Sequence, residues 1–218
     1  MRFFIALEIP EENKAQFQAI QASLHTLIPQ ARLTTPDKIH LTLTFIGEQP
    51  DELKDKLTQV LLDAATGIPS FEITPAYIDG FPNIHHPQVL WVGVKDDIDK
   101  IFIIHERIQD GLETLHLPTD ERRFIPHITI AKLNNQLSFS VDRNLERNLE
   151  KIMASNLEPI QVSSIKLFES VADGGLHRHN TLAEIKLGNN ILSKNDVSLI
   201  QLPHGSSQGT ESETPGSN

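Results

Sequence analysis

The sequence lacks cysteine altogether, and this absence excludes several kinds of site at once. Without thiolates the chain has no disulfide, no cysteine nucleophile and no cysteine-ligated zinc or iron–sulfur centre. Positive charge is also scarce, since 19 Lys and Arg residues stand against 29 Asp and Glu residues, for a formal net charge of −10. A protein that coats nucleic acid neutralises many phosphates, so this balance argues against such a function but allows a pocket for one phosphate.

Long apolar runs are missing as well. The apolar amino terminus is interrupted at Glu8, well short of a membrane span, and no small-residue cleavage site follows it. We therefore expect no membrane partner and a cytoplasmic location, and we also expect a monomer. The composition is otherwise ordinary, with 39% hydrophobic residues, and 218 residues suffice for a two-lobed domain with a substantial core.

A pattern of histidine, apolar residue, threonine and apolar residue occurs twice, at residues 40–43 and 127–130. Alternate side chains on a β-strand point to opposite faces, so the pattern predicts two strands that pack one face and present His and Thr on the other. One copy alone is typical of an ordinary half-exposed strand. The pair indicates chemistry, because two imidazoles and two hydroxyls on one surface suffice for acid–base catalysis at a phosphate.

The two copies lie 87 residues apart, and the same offset relates other apolar stretches, such as 3–7 and 90–94. We interpret this as an internal duplication within a domain of residues 1–190, followed by a disordered polar tail at 191–218. Hydrophobic periodicity predicts the order strand, helix, motif strand, helix, strand in each half. The predicted strands are 2–8, 40–46, 71–81, 88–94, 127–133, 160–168 and 181–187, and the predicted helices are 11–27, 51–65, 97–115 and 141–153.

Two facing imidazoles can act as an acid–base pair on phosphorus. With unperturbed pKa values of about 6.5, one can be neutral and the other protonated near neutral pH. The neutral ring then takes a proton from water and the protonated ring gives one to the leaving oxygen. Thr42 and Thr129 can donate hydrogen bonds to the non-bridging oxygens. We expect no cofactor and no metal, and the spacing does not decide which histidine is the acid.

The two patterns, with residues 34–39 before the first and 122–126 before the second, resemble those of the two-histidine phosphoesterases. The RNA 2′,3′-cyclic phosphodiesterase branch, also called 2′-5′ RNA ligase-like, is the most similar. The resemblance implies an α+β fold of two pseudo-symmetric lobes, each an antiparallel sheet with helices on its outer face, which flank a central cleft. It also implies that the chain opens 2′,3′-cyclic phosphates at RNA 3′ ends or on small nucleotides to 2′-phosphates without metal. By position, His40 is then the proton donor and His127 the proton acceptor.

Other residues are candidates for substrate contacts. Arg122 precedes the second motif and Lys132 follows it, where the branch usually has an arginine; lysine keeps the charge but loses the bidentate geometry. The segment with His177 and His179 departs from the Gly-Pro-x-Tyr-like segment of the branch. We expect these two histidines to lie in an exposed turn, with a phosphate-binding role as the alternative. His85 and the following His86 have no third ligand at metal spacing, which favours a solvated loop.

Three alternatives to the hydrolase remain open on the sequence. The first is 2′-5′ RNA ligation, the reverse reaction at the same site, and the second is a non-catalytic module that binds nucleotides or RNA ends. A metallohydrolase is the weakest alternative, because no ligand set is evident. Binding alone does not need two proton-transfer groups, so the two intact motifs favour an enzyme.

Overall fold

The computed structural model describes residues 1–119, 122–133, 142–154, 157–173 and 176–188, and the expected tail at 191–218 lies outside this part. The described strands are β1 (Arg2–Glu8), β2 (Arg32–Leu33), β3 (His40–Glu48), β4 (Phe71–Phe81), β5 (Val89–Lys95), β6 (His127–Lys132), β7 (Ile160–Val162), β8 (Ser164–Asp173) and β9 (Leu176–Lys186). The described α-helices are α1 (Glu11–Leu27), α2 (Lys54–Ala65), α3 (Ile98–Thr114) and α4 (Arg143–Met153). None of these helices is long and apolar enough to cross a membrane.

The helices are amphipathic and pack on one face of the strands. In α1, buried Phe17, Ile20 and Leu24 recur every three or four residues, while Glu11 and Glu12 place negative charge at the positive end of the helix dipole. These side chains share one core with the odd-numbered apolar residues of β1 and with the buried apolar residues of β3 and β6. The opposite face of the strands carries polar side chains together with a small apolar cluster of Phe4, Ala6 and Phe168.

The structural elements repeat with the offset seen in the sequence. Strand β1 at 2–8 corresponds to β5 at 89–95, and α1 at 11–27 corresponds to α3 at 98–114, each displaced by 87 residues. Strands β3 and β6 begin at His40 and His127, which are separated by the same interval. The two histidines therefore occupy equivalent positions in the two halves of the chain.

The antiparallel strand pairing crosses between the halves. The strand order is β7-β4-β5-β6-β3-β1-β8-β9, and β2 pairs with β6 outside this path. Strand β4, which ends the first half, pairs with β5 of the second half, and β8, which comes from the second half, pairs with β1 of the first. Each lobe thus contains strands from the other half: β2 and β4 belong to the lobe of β5 and β6, and β8 and β9 belong to the lobe of β1 and β3. The two lobes meet where β3 pairs with β6. The predicted α+β class, with antiparallel sheets, is confirmed.

The carboxyl-terminal strands differ from the prediction. The predicted strand at 160–168 is two strands, because β7 pairs with β4 whereas β8 pairs with β1 and β9. The last strand begins at Leu176, five residues before its predicted start. The expectation that His177 and His179 lie in an exposed turn was wrong, because both belong to β9 and pair with β8. Cross-strand pairing makes a strand of a segment whose own sequence has little strand character.

Candidate active site

The two motif strands lie side by side at the centre of the molecule. Leu41 of β3 pairs with Ile128 of β6 in antiparallel register. Both side chains are fully buried in the main core, whereas the adjacent His40 and His127 are only partly buried. The alternation of the sequence therefore divides each strand into a packed face and a cleft face, as predicted.

His40 lies on an aromatic floor. Its ring centroid is 5.3 Å from that of Phe4 and 6.3 Å from that of Phe168. Phe4 and Phe168 belong with Ala6 to a small apolar cluster that is separate from the main core. Burial, followed by repulsion from positive charge on His179 and on His127, lowers the pKa of His40 to about 4.

His127 is held by a second aromatic group and by one hydrogen bond. Its ring centroid is 4.9 Å from that of Phe81, at right angles, and 5.6 Å from that of Trp91. The Nδ1 atom lies 2.8 Å from the carbonyl oxygen of Ile125. A carbonyl can only accept, so Nδ1 carries the hydrogen and Nε2 keeps a lone pair, as a general base requires. Burial lowers the pKa of His127, and the bond to Ile125 partly opposes this effect.

These surroundings change the expected protonation of the pair. The sequence suggested one neutral and one protonated ring near neutral pH, from ordinary pKa values. The pKa values of His40 and His127 are both lowered by burial, so both rings are neutral near pH 7 in the free protein. A proton donor then arises only when an anion in the cleft favours the protonated form of one ring.

Two of the other predicted contact residues, Thr42 and Arg122, line one cavity beside His127. Thr42 lines a cavity of about 120 Å³ together with Phe45, Phe81, Arg122 and His127. Phe45 is 67% exposed, which is unusual for a phenylalanine and leaves a flat apolar surface open to a ligand. The structure therefore brings Arg122 to the cavity that His127 and Thr42 also line.

The remaining two predicted residues lie further along β6. Thr129 is partly buried and pairs with Trp91 of β5, whose ring contacts His127. Lys132 is exposed at the end of the strand, where it pairs with Arg32 and with Val89. Lys132 is five residues beyond His127 and is not among the residues that line the cavity.

The cleft has two further features: a third histidine, which the sequence singled out only as an alternative phosphate contact, and a tyrosine that was not predicted. His179 of β9 lies edge-on to His40, with ring centroids 5.4 Å apart. The ring of Tyr77 covers Gly93, since a Cβ atom at Gly93 would lie 2.2 Å from Cζ of the tyrosine, and Gly93 pairs with His127. A glycine inside an apolar strand is a sequence signal that another group approaches the backbone closely. Gly93 could therefore have indicated that a bulky side chain covers this part of β5. The sequence marked His179 only as an alternative phosphate contact, and no signal indicated that it lies beside His40.

The described residues contain no group of three or more His, Asp and Glu side chains that could hold a metal ion. His85 and His86 are exposed, as predicted for a solvated loop, and their backbone N–H groups donate to Oδ1 of Asn83. His105 lies half-buried on α3 and stacks on Phe124 at 3.9 Å, which helps to position the segment that leads to His127. His105 therefore has a structural role, whereas the side chains of His85 and His86 are exposed in their loop.

Comparison with known sequences places the chain among phosphoesterases. A sequence model of the 2′-5′ RNA ligase superfamily matches residues 9–173. An RNA 2′,3′-cyclic phosphodiesterase of Thermotoga maritima is 30% identical over 194 residues, which cover 82% of this chain and 100% of that protein. An RNA 2′,3′-cyclic phosphodiesterase of Methanothermobacter thermautotrophicus is 26% identical over 170 residues, which cover 78% of this chain and 86% of that protein.

Solved structures share the fold. The crystal structure of TT0787 of Thermus thermophilus matches with a TM-score of 0.68 and 22% identity, covering 87% of this chain and 100% of that one. The crystal structure of Escherichia coli LigT complexed with 3′-AMP matches with a TM-score of 0.64 and 22% identity, covering 85% of this chain and 97% of that one. The architecture described above is therefore that of these structures.

Proposed function

The chain belongs to the 2′-5′ RNA ligase superfamily, and on that basis we propose that it hydrolyses 2′,3′-cyclic phosphates at RNA 3′ ends or on small nucleotides. One observation carries the proposal: two equivalent His-x-Thr strands pair at Leu41 and Ile128, so that both histidines stand at one cleft. Relatives named RNA 2′,3′-cyclic phosphodiesterases support this substrate class.

His127 is suited to be the base. Its Nδ1 hydrogen is engaged by the Ile125 carbonyl, so Nε2 can take a proton from water. The water oxygen then forms a bond to phosphorus. The Ile125 bond also fixes the ring orientation, which lowers the entropy cost of reaching the reactive geometry.

His40 is suited to be the acid once substrate is bound. The phosphate is anionic, so its charge favours the protonated form of a nearby imidazole and opposes the effect of burial on the pKa of His40. Protonated His40 gives its proton to the 3′ oxygen as the bond between phosphorus and that oxygen breaks. The product carries a 2′-phosphate and a 3′ hydroxyl, and proton exchange with solvent restores both rings.

The neighbouring groups stabilise the charge on the phosphate. Thr42 and Thr129 each follow a histidine by two residues on the same strand. Their hydroxyls can donate hydrogen bonds to the non-bridging oxygens of the phosphate. Arg122 adds a positive charge at the cavity that contains Thr42 and His127. In this proposal the proton transfers need no metal ion, since the two imidazoles perform both.

The test is incubation with a nucleoside 2′,3′-cyclic phosphate in EDTA, with the product isomer identified by phosphorus NMR. We expect the 2′-phosphate alone. A 3′-phosphate product would mean that the 2′ oxygen leaves, which would contradict the role of His40 as proton donor to the 3′ oxygen. Tight binding without turnover would favour the binding module, and joining of this end to a 5′ hydroxyl would favour the ligase.

A further inference from the structure

His179 is the third imidazole of the cleft, and the proposed reaction does not use it. Its ring is 5.4 Å from that of His40 and 4.8 Å from that of Phe4, edge-on to both. Its Nδ1 atom is buried without a hydrogen-bond partner among the described residues. Most buried polar atoms in native proteins are hydrogen-bonded, so packing and not a hydrogen bond positions the Nδ1 side of this ring, and Nε2 is the nitrogen left to bind a ligand.

Two further basic side chains lie beside His179. Burial is the largest cause that lowers the pKa of His179; positive charge on Lys38 and on His177 adds to this effect, and the negative charge of Asp37 opposes it. The ring is therefore neutral near pH 7 in the free protein, as His40 is, and an anion bound beside it would favour the protonated form. His177 is positioned by Ser170, whose Oγ lies 3.2 Å from Nδ1 of the ring, and Ser170 pairs with His179 between β8 and β9.

Lys38 ends the 3-10 turn two residues before His40, which places it on the segment that leads into β3. Asp37 is itself engaged by a hydrogen bond from Thr35, which is the largest cause that lowers its pKa. His179 beside His40, His177 on the same strand and Lys38 on the segment before β3 are therefore basic side chains on the His40 side of the cleft.

A second groove, of about 340 Å³, lies between β4 and α4 and has acidic side chains in its lining. Asp79, Glu146 and Glu150 are among the residues that line it, together with Tyr77. A phosphate that entered this groove would meet like charge. A second phosphate can therefore be met by basic side chains on the His40 side, or by Arg122 and Arg123 beside His127, and the variants below tell these two places apart.

We propose that Lys38, His177 and His179 form a second anion subsite, which binds a phosphate of the substrate other than the cyclic one. This inference rests on the proposed function, since it extends the same cleft by one phosphate. The subsite favours a nucleotide with a further phosphate, either a 5′-monophosphate or the internucleotide diester of an RNA end. The imidazole Nε2 of His179 and the ammonium group of Lys38 are its hydrogen-bond donors.

The test compares kcat/KM for a nucleoside 2′,3′-cyclic phosphate, the same compound with a 5′-phosphate, and a dinucleotide ending in the cyclic phosphate. We expect about a tenfold or larger gain from the second phosphate, the worth of a hydrogen bond to a charged group. A gain for the dinucleotide alone identifies the diester as the ligand, and a gain for the 5′-phosphate alone identifies the monoester.

Two variants test whether His179 and Lys38 cause the gain in kcat/KM. His179→Phe keeps a ring against Phe4 but removes both nitrogens, and Lys38→Gln removes the charge from an exposed turn that carries no core residue. For each variant, the gain is the ratio of kcat/KM with the second phosphate to kcat/KM without it. We expect each substitution to remove most of this gain. Arg178→Gln is the matched control, because Arg178 is exposed between His177 and His179 on β9 and its side chain points away from them.

Equilibrium binding separates this proposal from the proposed function. The affinities of a nucleoside 3′-phosphate and of the corresponding 3′,5′-bisphosphate are measured for the full chain and the same variants. The proposal is overturned if the second phosphate adds nothing in either assay, or if its gain survives both His179→Phe and Lys38→Gln. Absence of turnover with an intact binding gain would instead contradict the hydrolase and leave the subsite standing.

Discussion

Leu41 and Ile128 pair across the centre of the molecule, and each directly follows a histidine of the cleft. Because the strands are antiparallel, His40 and His127 extend from this pair in opposite directions along the sheet. Their surroundings are also matched, since each ring packs on aromatic side chains of its own lobe, Phe4 for His40 and Phe81 for His127. The shared core pair thus fixes the separation of the two rings without a bond between them.

Replacement of either histidine should disable turnover. We expect His40→Ala and His127→Ala each to lower kcat by about two to four orders of magnitude, the usual contribution of a positioned acid or base. The double variant should be little worse than either single one, because the two rings act together. Steady-state kinetics on the cyclic phosphate checks this, with His25→Ala, at an exposed position of α1, as the control. Near-normal turnover in either cleft variant would place the chemistry elsewhere.

The threonines should matter less than the histidines. Thr42→Ala or Thr129→Ala removes one donor to a phosphate oxygen and leaves proton transfer intact. We therefore expect a smaller loss of kcat than for the histidine variants, measured in the same assay. A threonine variant as inactive as His127→Ala would mean that its hydroxyl takes part in proton transfer.

The pH profile should be displaced toward acid. In the free protein His40 must gain a proton against a pKa of about 4, and His127 must be neutral with a pKa below its usual value. The active form is therefore lost below the lower macroscopic pKa and above the upper one, and both limbs belong to the coupled pair. We expect a bell-shaped kcat/KM profile with its maximum below about pH 6.5.

The pH profile of kcat tests how bound phosphate changes the pKa values of the two rings. Bound phosphate raises the pKa of both rings, so the kcat profile should lie at higher pH than the kcat/KM profile. Initial rates at saturating and at low substrate between about pH 4 and 9 give both curves. Coincident profiles, or a kcat/KM maximum above pH 7, would contradict the effect of burial.

Activity should survive chelation. The proposed proton transfers use only His40 and His127, so dialysis against EDTA is expected to leave kcat unchanged. A loss of turnover that a divalent ion restores would support the metallohydrolase alternative.

Gly93 should be intolerant of a side chain because of Tyr77. A Cβ atom at Gly93 would lie 2.2 Å from the tyrosine ring, so Gly93→Ala must displace that ring. We expect a loss of about 1 to 3 kcal/mol in the free energy of unfolding, typical of overpacking, measured in urea. Tyr77→Ala should cost little alone, since Tyr77 is exposed, and should relieve most of the cost in the double variant. Additive effects would show that the ring does not cause the intolerance.

The sequence predicted the local elements well because their signals are local. The apolar spacing of Phe17, Ile20 and Leu24 is enough to predict α1, and alternation is enough to predict the two faces of β3. The exchange of β4 and β8 between the halves could not be predicted, because pairing between distant strands leaves no trace in either strand's own pattern. The pKa of His40 likewise depends on Phe4 and Phe168, which only the tertiary fold brings to it.

His179 illustrates a second reason why the sequence did not predict the whole site. The residues from His177 to Asn180 are polar throughout, so no alternation of apolar residues marked them as a strand. Their conformation comes from pairing with β8, whose Ser170 and Glu169 oppose His179 and Asn180. The hydrophobic periodicity of a segment does not reveal a residue that is placed in a site by pairing with another strand.

The exchange of strands has a consequence for the ancestry of the fold. One half of the chain ends in a strand that completes the other lobe, so a half expressed alone would leave one sheet edge open and one strand without a partner. Two identical halves would satisfy both needs at once by trading their last strands as a swapped dimer. Leu41 and Ile128 would then sit on its two-fold axis, and one histidine from each copy would complete a shared cleft. Fusion of two such genes would make this arrangement permanent and would free each histidine to specialise.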